Sequence, residues 1–159
     1  MKKQIKFIGI AFFFMNCFFA KAQSKVFDNY EMLRSNDKRI SQIDSFVKKC
    51  LSTNEGSSTL GMRGCYYEGT VKMDSLLNIV YKEALQMLKK EDQEKLRISQ
   101  RTWLKFFEAE TGFTNEVFRS WSNYSKYGYG SQINITESVM TYTLISERVN
   151  RLCYYLTAE

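Results

Sequence analysis

Large apolar residues return every three to four positions along most of the chain, most clearly between Leu96 and Thr111. In LRISQRTWLKFFEAET, Leu96, Ser99/Gln100, Trp103, Phe107 and Glu110 share one helical stripe, flanked by Arg97, Arg101, Lys105 and Glu108. The spacing predicts a helix with Trp103 as its anchor, because aromatic rings bury the most area per residue. The same period runs through 28–51, where Ile40, Ile43, Phe46, Val47 and Cys50 share a face. Ser35, Asn36 and Asp37 are capping residues that start or split this segment. STNEGSS (52–58) then reads as a linker.

Helical signals resume at Ser58 or Thr59, weakened at first by Gly61, Gly64 and Gly69. They become strong at Met73, Leu76/Leu77, Val80/Tyr81, Ala84/Leu85 and Leu88. Lys89-Lys90 suits a helix C-terminus and Glu91-Asp92 the next N-terminus, so 73–90 and 92–111 are expected to form an antiparallel pair. Residues 112–132 are aromatic and polar. A helical turn is expected to about Trp121, then a loop at SNYSKYGYGSQ. A last helix starts at Asn134 or Thr136, with Ile135, Val139, Tyr142, Val149, Leu152 and Leu156 at nearly seven-residue spacing. No period-two alternation competes. The expected fold is all-α, a small bundle of four to five helices with antiparallel pairs and one disulfide.

The first 22 residues stand apart. MKKQIK is a basic start, FIGIAFFFMNCFF an apolar run, and Ala20-Lys21-Ala22 a small-x-small cleavage site. We therefore expect a signal peptide cut after Ala22, one domain over 23–159, and a periplasmic or secreted bacterial protein without a stable membrane span. The leader carries four lysines and no acid, so its loss takes the net charge from +6 to about +2. The basic pI is then largely a targeting effect, and nucleic acid is not an expected partner.

Export places the remaining Cys50, Cys65 and Cys153 in an oxidising compartment. A flexible, glycine-containing stretch separates Cys50 from Cys65, which favours that bridge; Cys153 paired with one of them is the alternative. The chain has no His, which removes His-based relays and His-ligated metal sites. Three widely spaced cysteines do not form a metal set, and no phosphate-binding loop occurs. Glu108 and Glu110 fall on different helix faces, and Asp74 and Glu108 are better suited to pairing with Arg97, Arg101 or Arg148 than to acid/base work. No catalytic residue, cofactor or metal is expected. The best contact surface is the aromatic segment with Trp121, Tyr124, Tyr127 and Tyr129, since tyrosines bring area and a hydroxyl at low entropic cost.

Four segments resemble the lysozyme inhibitor LprI-like family. They are Thr59-x-x-Met62-x-x-Cys65 with Cys50 upstream, Asp74-x-x-Leu77-Asn78-x-x-Tyr81, Leu96-Arg97-x-x-Gln100-Arg101-x-Trp103, and Gly130-Ser131 followed by Arg148 and Leu152. The match covers about 50–152. Phe107 stands where the family commonly has Arg, and Thr111 and Met140 where it commonly has a second cysteine pair. Losing both members of that pair together supports a Cys50–Cys65 bridge and leaves Cys153 as an extra cysteine. The resemblance implies an exported, non-enzymatic protein that occludes a lysozyme or other glycosidase by protein contact. The alternative is an envelope assembly module with no enzyme target. The candidate loop, 122–132, carries Lys126 and no acid, an unusual composition for meeting a basic lysozyme. For Asp74, Leu77, Asn78, Tyr81, Gln100, Arg101, Trp103 and Arg148 we expect packing roles, with Asn78 and Gln100 hydrogen-bonded across facing helices.

Overall fold

A computed structural model describes residues 36–124 and 132–157. These form four helices: α1 (Lys38–Leu51), α2 (Thr59–Met87), α3 (Lys90–Tyr124) and α4 (Gln132–Thr157). No strand occurs among the described residues. The all-α expectation holds.

Local chemistry sets the helix ends. The Asp37 carboxylate accepts from the Arg39 backbone N–H, so the first helix starts directly after the Ser-Asn-Asp capping run. The earlier part of the 28–51 segment lies outside the described residues. Ser58 caps α2 by accepting from the Gly61 N–H at 3.0 Å. Glu91 and Asp92 occupy the first turn of α3, where carboxylates suit the helix dipole. α3 runs through Gly112 to Tyr124, further than the helical turn expected there. The stripe of Leu96, Gln100, Trp103 and Phe107 continues in register to buried Thr114, so a single glycine does not end the helix.

Cys50 and Cys65 are disulfide-bonded, with Cα atoms 5.7 Å apart, and Cys153 is a buried thiol outside that disulfide. The bridge closes the α1–α2 turn; a loop of this length loses enough unfolded-chain entropy to stabilise the fold by about 3 kcal/mol. Three glycines around it have steric reasons. A Cβ on Gly56 would lie 2.0 Å from the Cys50 carbonyl oxygen, and one on Gly61 1.8 Å from that of Glu55. A Cβ on Gly69 would lie 2.4 Å from Val47 Cγ2 and 3.1 Å from the Tyr142 ring, because α1 and α4 both close on α2 there.

The core is built mainly by α2 and α4, with Met73, Val80, Val149, Leu152 and Cys153 at its centre and Ile40 and Val47 of α1 closing one side. Tyr142 ties α4 to α1 through a 2.5 Å hydrogen bond donated to Asp44. The expected pairing of 73–90 with 92–111 is not the one formed. α2 lies along α4, and α3 joins the bundle through α4. The reason lies in the faces. α2 and α4 both offer broad apolar stripes, whereas Leu96 is the one buried apolar residue among α3's described side chains, beside buried Gln100 and Thr114. No helix of the described residues is long and apolar enough to cross a membrane.

Candidate functional site

The residues that carried the sequence resemblance separate into an inner and an outer set. Leu77 is buried in the core, and Tyr81 packs partly against it. Asp74 and Asn78, one helical turn apart on α2, are exposed. The Asn78 amide donates to the Asp74 carbonyl at 3.0 Å and approaches its carboxylate at 3.5 Å. The expected Asn78–Gln100 bond is therefore absent. Asn78 faces outward, on the side of α2 opposite its core stripe of Gly69, Met73, Leu76 and Val80.

Gln100 finds its partner on α4. The guanidinium of buried Arg148 donates from Nε to Gln100 Oε1 at 2.9 Å and from Nη2 to Ser99 Oγ at 3.2 Å. It also lies 5.8 Å from the Trp103 ring, which stacks on Phe107 at 5.3 Å. Burial pushes the Arg148 pKa down, and the like charge of Arg151 adds to that. Phe107, where the family commonly has Arg, thus supplies an aromatic neighbour for Trp103. Arg97 and Arg101 pair with Glu94 at 3.4 and 3.2 Å on the exposed side of α3, not with Asp74 or Glu108 as expected.

Sequence reasoning missed one charged cluster. Arg39 donates to both Asp37 oxygens and, through Nη1 and Nη2, to Glu83 at 2.8 and 2.9 Å. This clasp joins the start of α1 to α2. The Arg39 guanidinium holds the Asp37 carboxyl down at about 2, with burial opposing it. The Cys153 thiol donates to Asp37 at 3.4 Å. Burial first, and then the Asp37 charge, push that thiol up to about 12, so it is not poised as a nucleophile. Asp37, Arg39, Glu83, Met87, Cys153 and Leu156 line an open cleft of about 460 Å³. Asp37 was visible in the sequence as a cap, but its link to Glu83 spans 44 positions and has no local signature.

Of the aromatic contact candidates, Trp121 and Tyr124 belong to the last turns of α3. Their side chains, and all of Tyr127 and Tyr129, lie outside the described residues. Among the described residues no group of His, Cys, Asp and Glu is placed to hold a metal ion.

A family model described as "Lysozyme inhibitor LprI" matches residues 50–152. Comparison with curated proteins and with solved structures gives no match.

Proposed function

The chain belongs to the lysozyme inhibitor LprI family, and from that premise we propose that it is an exported binding protein that blocks a lysozyme or related glycosidase by protein contact, without turnover of its own. The observation that carries this reading is the family match itself, which spans α2, α3 and most of α4, together with the end of α1. The leader over 1–22, with cleavage after Ala22, supplies the export route to the periplasm or medium. The domain is then 23–159.

The contact surface in this reading is the aromatic segment at the end of α3, with Trp121, Tyr124, Tyr127 and Tyr129 as its anchors. Aromatic side chains are the residue type that dominates the energy of protein interfaces. The Arg148–Gln100–Trp103 layer holds α4 against α3, the helix whose last turns carry Trp121 and Tyr124.

The test is an inhibition assay with the protein purified after export, against several lysozyme classes. Potent inhibition of one class, weakened at least tenfold by Tyr127→Ala or Tyr129→Ala, is the expected result. Inhibition that both variants leave unchanged would move the contact surface elsewhere. Absence of inhibition for every class would favour the second reading, an envelope assembly module, which stable co-purification with an envelope protein would then support.

A further inference from the structure

Four glycines lie from Gly56 to Gly69, and one of them is not crowded by the described residues. Gly56, Gly61 and Gly69 are each pressed against neighbouring atoms. Gly64 sits inside α2, is exposed, and a Cβ added there would meet nothing within 4 Å. A glycine inside a helix weakens it relative to Ala, so its use at an open position points to close approach by something outside the chain. Gly112 is also open, but its neighbours one turn away on either side are Glu108 and Glu116, which make a polar face.

The neighbours of Gly64 are different. Leu60, Tyr67 and Val71 follow at helical spacing on the same outward face and are 77%, 67% and 50% exposed. A contiguous apolar stripe on a helix, with none of the other described helices over it, marks an interaction surface. The charges that flank it, Arg63, Glu68, Lys72 and Asp74, are balanced in sign. A strongly basic partner would be matched by an acidic face, whereas a balanced face suits a copy of itself.

We infer that this face of α2 pairs with the same face of a second copy in an antiparallel, two-fold arrangement centred between Gly64 and Tyr67. In that register Tyr67 of each copy lies over Gly64 of the other, and Leu60 lies against Val71 of the other. Knob and notch sit three residues apart on one stripe, as a self-complementary contact requires. The glycine lets the two backbones approach and gives the tyrosine ring its seat. With three apolar anchors per copy the interface is small, so a reversible, concentration-dependent dimer is expected. The pairing does not depend on the lysozyme reading.

The experiment is light scattering and sedimentation of the exported protein across a concentration series. A concentration-dependent monomer–dimer equilibrium is expected, and Tyr67→Asp should abolish the dimer while leaving helical circular dichroism intact. Gly64→Ala separates the inference from a general loss of fold. It should weaken the dimer at least tenfold and yet raise the thermal midpoint of the monomer, because Ala favours helix. A single monomer mass at all concentrations would overturn the pairing. So would a dimer that survives both Tyr67→Asp and Gly64→Ala.

Discussion

Successive turns of α4 face two different materials. Ile145, Val149 and Leu152 enter an apolar seam against Met73, Leu76 and Val80 of α2. Arg148, between them in sequence, enters a polar and aromatic seam against Ser99, Gln100 and Trp103 of α3. The first seam gains its energy from area removed from water, which is large and non-directional. The second depends on hydrogen bonds that exist at one alignment of α3 on α4. Burying a charge among neutral partners is costly, so this layer is expected to select register more than to add stability. The α2–α4 seam thus makes the domain fold, and the α3–α4 seam fixes where the aromatic end of α3 is carried.

The largest effect is expected in the apolar seam. Leu152 is fully buried, and Leu152→Ala leaves a cavity that the surrounding helices fill only in part. The expected loss is about 3–4 kcal/mol, seen as a lower urea midpoint with the transition still cooperative. A loss below about 1 kcal/mol would mean that α2 and α4 repack freely and that the two seams are less distinct than they look.

The polar seam should respond differently. Arg148→Ala strands Gln100 and removes the cation from the Trp103 face, for an expected loss of about 1–3 kcal/mol. Amide exchange gives the sharper readout: protection should fall along α3 while α2 and the core turns of α4 keep theirs. Replacing the pair together, Arg148→Met with Gln100→Leu, should recover most of the stability, since an apolar pair satisfies a site that a single truncation leaves unpaired. Failure of the double variant to recover would show that the layer contributes stability and not only alignment.

These two seams were unequally legible in the sequence. The helices were readable because Met73, Val80, Val149 and Leu152 recur at helical spacing, and the Cys50–Cys65 bridge because a flexible linker separates the two cysteines. The partners of the helices were not readable. Short linkers suggested 73–90 against 92–111, but a short linker fixes only the order of helices, and the breadth of the apolar faces chose α4 for α2. Gln100 was expected in a hydrogen bond across helices with Asn78, and its partner is Arg148 instead. Arg148 lies 48 positions away, and nothing local distinguishes it from Asn78. The Asp37–Arg39–Glu83 clasp escaped for the same reason.

That clasp offers the smallest test, and it asks whether the apolar seam depends on its charged edge. Asp37 ionises near 2 in the fold against an ordinary value of 3.8, so the folded chain binds its proton less readily than the unfolded chain. The sign follows: the contribution is fully present above about pH 4 and is lost as pH falls towards 2. A shift of that size corresponds to at most about 2.5 kcal/mol. Asp37 is 16% and Arg39 39% exposed, so solvent screening reduces the expected contribution to about 1 kcal/mol. Asp37→Asn should therefore lower stability at pH 6 by about that amount and flatten its decline between pH 4 and 2, followed by urea unfolding at each pH. If the parent and the variant decline in parallel, the acid sensitivity belongs to other carboxylates, and the α1–α2 edge is held by the disulfide and the apolar contacts of Ile40 and Val47 alone.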